Sequence, residues 1–263
     1  MVAFTSLERE HIIEAVQAMY TDVARVPEKG YHFPVGREAC LALGYRAGWL
    51  DSIPATAVES FAGVACPVQG DVFGEGETVL DIGSGSGTDS LIAALRVGER
   101  GRVYGLDMTD AMLAKFGSNI EKLGVNNVVR LRGNAESIPL PDQSVDTITS
   151  NGVLNLVYDK PRVFAEMYRV LRPGGRITIS DISVSKDLQT LEEAKNNPRL
   201  WAECVAGAVT DEDYLKELEK AGFRNLEVID QLDYFSHSSS EATRQIAGNF
   251  GAHSIVLRGL KPA

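Results

Sequence analysis

Three glycines that follow a short apolar run constrain this chain more than any other feature. The segment 77–90 reads ETVLDIGSGSGTDS, and its apolar run stops at Gly83, Gly85 and Gly87. The next ten residues carry apolar side chains at helical spacing, so the pattern predicts a buried strand, a glycine turn and a helix. Glycine permits positive φ and close approach of a ligand, and the start of the helix offers unpaired N–H groups. We therefore expect a nucleotide-like ligand at this turn.

Two carboxylates beside the turn indicate which nucleotide it is. The glycines are spaced G-x-G-x-G, whereas a dinucleotide site has G-x-G-x-x-G, with Thr88 here in the place of the last glycine. Asp81 precedes the turn, where a carboxylate repels a pyrophosphate but attracts an amino-acid ammonium. Asp107 ends the next apolar run and is placed to accept both hydroxyls of a ribose. The ligand charge favours S-adenosylmethionine over NAD.

The length and charge of the chain exclude several classes of protein. With 263 residues, 44% of them hydrophobic, the chain can form one large α/β domain with an added cap. A net charge of −10 argues against nucleic acid, because phosphate binding needs a basic face. No apolar run is long enough to span a bilayer, and three cysteines are an odd and sparse set. We expect a cytoplasmic protein with free thiols and a small-molecule substrate, and the oligomeric state stays open.

Apolar runs and helical periodicity alternate from residue 77 onward. Strands are predicted at 77–83, 102–108, 127–133, 145–150 and 175–182, and near 225–235 and 252–260. Helices are predicted at 88–97, 110–123, 160–172 and 211–221. Such alternation with short connections predicts a doubly wound, parallel α/β sheet that is covered on both faces.

Ligands of doubly wound sheets bind beyond the carboxyl ends of the strands. On the strand assignment alone, four residues fall at such ends: Gly83, Asp107, Asn134 and Asn151. Residues 1–74 are predicted to form an N-terminal helical cap. Residues 75–263 are predicted to form the ligand-binding domain.

The side of the site that would hold a second substrate has weaker signals. His32 lies between Tyr31 and Phe33 in an irregular segment, and either faces the ligand or is an ordinary loop histidine. The two aromatic rings either shield a sulfonium by cation–π contact or pack the cap. We take His32 as a candidate catalytic residue and Tyr31 as a candidate cofactor-binding residue. Cys204 lies in a long connection, 183–209, that is a candidate for covering the substrate side.

Four linked segments resemble the class I S-adenosylmethionine-dependent methyltransferases. They are VLDIGSGSGTDS, GLDM, GNAESIPLPDQSVD and EMYRVLRPGG, and they span about residues 75–182. The resemblance implies a seven-stranded, mostly parallel Rossmann-like sheet with an antiparallel last strand, and residues 75–263 as the methyltransferase domain. It also implies a set of cofactor-binding residues: Asp81, Gly83, Ser84, Gly85 and Gly87 for the methionine part, Asp107 for the ribose, Met108, Ala135 and Glu136 for the adenine, and Asn151 beside the methionine.

Further segments are similar to the arsenite methyltransferases, namely SNGVLNLVYDKPRVFAEMYRVLRPGG, SDI and LWAECVAGAV. In that family, three or four cysteine thiolates hold trivalent arsenic during methyl transfer. Cys204 falls on a family cysteine, but Gly152 and Val64 stand at two other cysteine positions. Soft thiolates must converge to hold arsenic, so the hypothesis is that Cys204 acts with Cys66 or Cys40.

Methyl transfer from a sulfonium needs alignment and exclusion of water rather than a metal, and the sequence predicts no metal site. An arsenite methyltransferase-like enzyme is the main hypothesis. The missing thiol at Gly152 motivates an alternative, in which a relative without arsenic activity methylates another small metabolite at carbon, nitrogen, oxygen or sulfur. A non-catalytic, cofactor-binding regulatory protein and, more distantly, an NAD-dependent oxidoreductase also remain open.

Overall fold

The structure is a computed structural model, and it describes residues 6–185, 207–238 and 241–263. Its strands are β1 (Thr78–Ile82), β2 (Arg102–Asp107), β3 (Val128–Arg132), β4 (Val145–Asn151), β5 (Leu171–Val184), β6 (Arg224–Leu232) and β7 (Ala252–Leu260). They form one sheet in the order β3-β2-β1-β4-β5-β7-β6. The first five strands pair in parallel, and β7 runs antiparallel to both β5 and β6. The predicted doubly wound, mostly parallel fold is confirmed.

The helices that flank the sheet follow the predicted spans closely after the glycine turn. They are α1 (Ser6–Arg25), α2 (Arg37–Ala42), α3 (Ala47–Asp51), α4 (Ala55–Val58), α5 (Thr88–Val97), α6 (Asp110–Leu123), α7 (Lys160–Val170), α8 (Asp211–Lys220) and α9 (Glu241–Phe250). Thr210 is the N-cap residue of α8, and its hydroxyl accepts a hydrogen bond from the Asp213 N–H at 3.2 Å. Helices α1 to α4 lie within the predicted helical cap, residues 1–74, whereas α9 falls outside the predicted spans.

The strand order reverses between β1 and β4, and this reversal determines where a ligand can bind. Strand β1 pairs with β2 on one side and β4 on the other, so the chain leaves β1 and β4 in opposite directions. The helices therefore separate at the carboxyl ends of these two strands and leave a crevice. The glycine turn, residues 83–87, lies at this crevice.

The N-terminal segment shares a hydrophobic core with the sheet domain. Leu50, Phe61 and Val64 of the cap belong to the same buried cluster as Leu91 of α5 and Phe116 of α6. Each such side chain contributes roughly 1.5–3 kcal/mol when it is removed from water. The cap is therefore held against α5 and α6, beside the crevice. No helix within the described ranges is long and apolar enough to cross a membrane.

Candidate functional site

A cleft of about 1100 Å³ lies over the carboxyl ends of β1, β2 and β4. Helix α1 and residues 60–63 of the cap form its outer wall. Nine of the predicted cofactor-binding residues line this cleft: Asp81, Gly83, Ser84, Asp107, Met108, Asn134, Ala135, Glu136 and Asn151. The cleft therefore brings together residues from the carboxyl ends of four different strands.

The glycine turn forms the floor of the cleft. Gly83 has φ of +74°, and a Cβ atom there would overlap the side chain of Val153. Gly85 does not line the cleft itself, but its N–H donates a hydrogen bond of 2.9 Å to Asp107 Oδ2. Gly87, the N-cap of α5, also lies behind the lining residues. These two predicted residues shape the turn rather than contribute to the wall.

Asp107 is fixed at the end of β2 by backbone donors. Its Oδ1 accepts from the Thr109 N–H at 2.8 Å, and its Oδ2 accepts from the Gly85 N–H. Burial raises the pKa of Asp107, while these N–H groups oppose the shift by stabilising the carboxylate. Asp107 also lines the cleft, where its carboxylate can accept a hydrogen bond from a ligand hydroxyl.

Asp81 is buried at the end of β1, with 2% of its surface exposed. Its oxygens accept from Ser90 Oγ at 2.5 Å and from Thr149 Oγ1 at 3.1 Å. Burial and, next, the charge of nearby Asp89 raise the pKa of Asp81, and the two hydroxyl donors oppose the shift. A cationic ligand group would relieve the repulsion between these carboxylates.

A further carboxylate of the cleft lining, Asp89, is not among the residues predicted from the sequence. It lies on the first turn of α5 and lines the cleft, although it is largely buried. The Tyr45 hydroxyl donates to Asp89 Oδ1 at 2.5 Å, and Asn151 Nδ2 donates to Asp89 Oδ2 at 3.1 Å. A carboxylate at the start of an otherwise apolar helix was the signal available for Asp89. Tyr45 carried none, because it comes from an irregular part of the cap.

Asn151 connects the end of β4 to the cap. Its Oδ1 accepts from the Val64 N–H at 2.8 Å, and its Nδ2 donates to the Ala65 carbonyl at 2.9 Å and to the Tyr45 hydroxyl at 3.0 Å. A Cβ atom at Gly63 would overlap the Asn151 amide. The cap and the sheet therefore meet at this side chain without space between them.

The opposite end of the cleft is closed by α1. Glu136, 4% exposed, forms an ion pair with Arg9 and accepts from the Asp159 N–H at 3.3 Å. Gln17 Nε2 donates to the Met108 carbonyl at 3.0 Å. Between these two polar contacts, Ile12 and Val16 turn their apolar side chains toward the cleft. This apolar wall suits a flat aromatic ring.

Comparison with known proteins identifies the family. A family model described as a methyltransferase domain matches residues 73–222. A crystal structure of an arsenic(III) S-adenosylmethionine methyltransferase from Chlamydomonas reinhardtii superimposes with a TM-score of 0.65 and 31% identity, covering 88% of this chain and 75% of that one. The chain belongs to the S-adenosylmethionine-dependent methyltransferases.

Sequence relatives extend the likeness beyond this domain. The arsenite methyltransferase of Halobacterium salinarum is 40% identical over 188 residues, which cover 71% of this chain and 47% of the relative. That of Aquipseudomonas alcaligenes is 36% identical over 201 residues, which cover 72% of this chain and 57% of the relative. The methyltransferase chain described here thus spans about half the length of the curated relatives that it matches.

The cleft of this methyltransferase fits the cofactor of its family. The Ser84 hydroxyl is buried in the lining and has no hydrogen-bond partner within the described part of the chain. Such a group is expensive to bury unless a ligand completes its bonding. The described lining residues include four carboxylates and no lysine, arginine or histidine, which suits a ligand with an ammonium and a sulfonium. The family prediction and its cofactor are supported together.

The remaining predicted residues of the methyltransferase lie away from this cleft or outside the described residues. Cys40 and Cys66 are buried in the core that the cap shares with α5 and α6, and burial raises the pKa of both thiols. Neither thiol lines the cleft. Tyr31 stacks on Phe33 and donates to the Val26 carbonyl at 2.9 Å. Cys204 lies outside the described residues.

His32 also lies away from the cleft lining. Its ring meets the Phe33 ring edge-on, with ring centroids 4.6 Å apart. Its carbonyl accepts from the Ser238 hydroxyl at 2.7 Å. These contacts hold the 31–33 segment against the C-terminal part of the methyltransferase. The catalytic role predicted for His32 stays a prediction.

The two positions at which the resemblance to arsenite methyltransferases implies cysteines, Gly152 and Val64, lie next to each other. Gly152 has φ of +71°, and a Cβ atom there would lie 3.2 Å from Val64 Cγ1. Gly152 lines the cleft, and Val64 is buried directly behind it. In this methyltransferase, a glycine and a valine therefore meet where the family pattern would place two thiols.

Proposed function

We propose that the chain binds S-adenosylmethionine and transfers its methyl group to a small, soft nucleophile, with trivalent arsenic as the first candidate. The observation that supports methyl transfer is the two-ended cleft. At one end of the cleft, Asp107 lies beside an apolar wall. At the other end lie Asp81 of β1 and Asn151, the last residue of β4. The likeness to arsenite methyltransferases supports arsenic as the acceptor.

The residues of the cleft would align the reaction rather than carry it out chemically. S-adenosylmethionine supplies a methyl group on a positively charged sulfur, which the acceptor takes by in-line displacement. Asp107 would hold the ribose hydroxyls, and Ser84 with Asp81 would hold the amino-acid group. Fixing both ends limits the motion of the reacting centre between them. Helix α1 and residues 60–63 line the outer side of the cleft and would limit the access of water to a bound cofactor.

For an arsenic acceptor, the proposed ligands are Cys204 together with Cys66 or Cys40, and His32 remains a candidate catalytic residue. Burial raises the pKa of the thiols of Cys40 and Cys66, so both are protonated at neutral pH in this arrangement. To bind these thiols, trivalent arsenic would have to displace their protons and reach them by a path from the cleft. This hypothesis therefore requires a movement of the cap.

Calorimetric titration with S-adenosylhomocysteine, followed by arsenite with glutathione and labelled S-adenosylmethionine, tests the proposal. We expect binding with 1:1 stoichiometry and labelled methylarsenic. Replacing Cys204, Cys66 and Cys40 singly by serine then identifies the ligands, with cofactor affinity as the control for folding. Absence of cofactor binding would overturn the whole proposal, whereas binding without methylarsenic would overturn arsenic as the acceptor.

The Gly152–Val64 contact favours a second candidate, methylation of another small metabolite. Gly152 in the cleft wall, with Val64 buried behind it, leaves an apolar surface in place of soft ligands. The carboxylates of the described lining also disfavour an anionic acceptor. A neutral or cationic small molecule with a carbon, nitrogen, oxygen or sulfur nucleophile fits these conditions.

Restoring one thiol distinguishes the two candidates. Val64→Cys is the suitable variant, because a cysteine at position 152 would be strained at φ of +71°. If the wall has lost an arsenic ligand, Val64→Cys should raise methylarsenic formation above that of the unchanged chain. Val64→Ala is the matched control for altered packing. If the unchanged chain already turns arsenite over efficiently and Val64→Cys adds nothing, the metabolite candidate loses its support.

A further inference from the structure

The position of Asp89 follows from the order of strands at the cleft. Asp107 and Glu136 follow β2 and β3, so the adenosine of a bound cofactor lies over that side of the sheet. Strand β1 separates this side from β4. Asp89 hydrogen-bonds Asn151 at the end of β4, and it therefore lies at the other end of the cleft. The amino-acid group of the cofactor extends toward this end.

The carboxylate of Asp89 is held by donors from two separate parts of the chain. The Tyr45 hydroxyl comes from the cap, and the Asn151 amide comes from the sheet. Tyr45 and Asn151 also bond each other at 3.0 Å, so the three side chains form a closed network. Tyr45 is 3% exposed, and Asp89 is 7% exposed. A carboxylate with this support has a fixed direction toward the cleft.

The end of the cleft beside β4 carries negatively charged side chains. Asp81 and Asp89 both line the cleft, and each is buried. Among the described residues, no lysine, arginine or histidine forms an ion pair with either carboxylate. The charge of Arg96 favours the ionised form of Asp89, but its guanidinium bonds the carbonyls of Val68 and Gly70 instead. A cation between the two carboxylates would relieve the repulsion by Asp89 that helps to raise the pKa of Asp81.

We infer that Asp89 is a second carboxylate that binds the cofactor's ammonium opposite Asp81, and that Tyr45 of the cap positions it. This inference rests on the proposed binding of S-adenosylmethionine. It assigns the ammonium two acceptors, one on β1 and one on α5. It also makes cofactor affinity depend on the placement of the cap, because Tyr45 reaches Asp89 only when the cap is docked.

Two ligands that differ in the amino-acid group test the inference. S-adenosylhomocysteine carries the ammonium, whereas methylthioadenosine retains the adenosine and lacks the whole amino-acid part. In Asp89→Asn, we expect the dissociation constant of S-adenosylhomocysteine to rise about ten- to hundredfold, the effect of losing a charged hydrogen bond. The dissociation constant of methylthioadenosine should remain within about twofold of that of the unchanged chain.

The control variant is Asp230→Asn, which removes one negative charge from an exposed position on β6. It should leave both affinities unchanged. An equal loss for both ligands in Asp89→Asn would show that Asp89 supports the shape of the cleft, and this result overturns the inference. Unchanged affinity for S-adenosylhomocysteine overturns it as well. Failure of the unchanged chain to bind S-adenosylhomocysteine would instead reject the proposed function.

Tyr45→Phe tests the positioning role, because it removes the hydroxyl donor and retains the ring that packs on Phe61. We expect S-adenosylhomocysteine to bind about three- to tenfold more weakly, with methylthioadenosine unchanged. In the double variant Tyr45→Phe/Asp89→Asn, the two losses should not add, since Tyr45 acts through Asp89. Tyr168→Phe, on α7 away from the cleft, is the matched control. Additive losses, or equal weakening of both ligands by Tyr45→Phe, would contradict the positioning role.

Discussion

Asp107, at the adenosine end of the cleft, is held by residues close to it in sequence, whereas Asn151, at the amino-acid end, is held by residues of the cap. Asp107 is held by backbone donors of Gly85 and Thr109, 22 and 2 residues away. At the other end, Asn151 bonds Val64 across 87 residues and Tyr45 across 106. Local motifs therefore fix Asp107, whereas tertiary packing fixes Asn151. Variants at the two ends should affect different parts of the cofactor.

The largest expected effect comes from Gly83→Ala, because Gly83 underlies both ends. The new methyl group would overlap Val153, and the backbone would keep φ of +74° at a residue with a side chain. Left-handed backbone costs about 1–2 kcal/mol and overpacking about 1–3 kcal/mol. We expect calorimetry to show an affinity for S-adenosylhomocysteine lower by about thirtyfold or more.

Gly124→Ala is the matched control for this glycine. It has φ of +73° at the end of α6, but a Cβ atom there would meet nothing within 4 Å. It should reduce thermal stability slightly and leave cofactor affinity unchanged. If both alanine variants bind the cofactor equally well, the turn does not form the floor of the site.

Asp107→Asn should weaken the adenosine end alone. We expect the dissociation constants of S-adenosylhomocysteine and methylthioadenosine to rise by the same factor, about ten- to hundredfold, because both carry the ribose. Asp110→Asn, three residues later and exposed, removes an equal charge and should change neither affinity. A loss confined to S-adenosylhomocysteine would reverse our assignment of the two ends.

The residues tested by Gly83→Ala and Asp107→Asn could be predicted from the sequence, whereas the network around Asp89 could not. The strand–turn–helix pattern around Gly83 and the carboxylate of Asp107 depend on neighbours within one βαβ unit, so the sequence shows them directly. The Asp89 network depends on Tyr45, which lies in a cap whose docking has no local signal. The roles predicted for Cys40 and Cys66 depended on their convergence at the cleft, which only tertiary packing decides.

The pH dependence of binding should also distinguish the two ends. Burial raises the pKa of Asp81, Asp89 and Asp107. An ammonium favours the ionised carboxylates, so affinity is full above these pKa values and falls as the pH drops through them. S-adenosylhomocysteine should lose up to about tenfold per pH unit for each proton taken up, and methylthioadenosine should lose less.

Other titratable groups around Asp89 do not change this sign. The phenol of Tyr45 and the thiols of Cys40 and Cys66 have raised pKa values and stay neutral, and Arg96 stays charged throughout this range. Asp89→Asn should reduce the slope for S-adenosylhomocysteine and leave that for methylthioadenosine unchanged. Parallel slopes for the two ligands in the unchanged chain would place no titrating carboxylate at the amino-acid end.

The smallest expected effect concerns α1. Arg9→Gln removes the partner of Glu136, but the Arg9 side chain is 40% exposed, so water screens much of the interaction. We expect both ligands to bind about two- to threefold more weakly. Arg25→Gln, exposed in the last turn of the same helix, is the control for charge. Weakening of only S-adenosylhomocysteine would show that α1 covers the amino-acid end instead.

The bonds of Asn151 have a consequence for how the protein is made. Val64 precedes Asn151 by 87 residues, so the ribosome releases Val64 and Ala65 long before the side chain that accepts their hydrogen bonds. Until α5 and α6 emerge, the apolar face of the cap around Leu50 and Phe61 lacks the helices that it packs against, and until β4 emerges the cap lacks the hydrogen bonds of Asn151. The nascent chain therefore exposes this apolar segment for several seconds, because synthesis proceeds at about 5–20 residues per second. Chaperones that recognise apolar segments would meet the cap first.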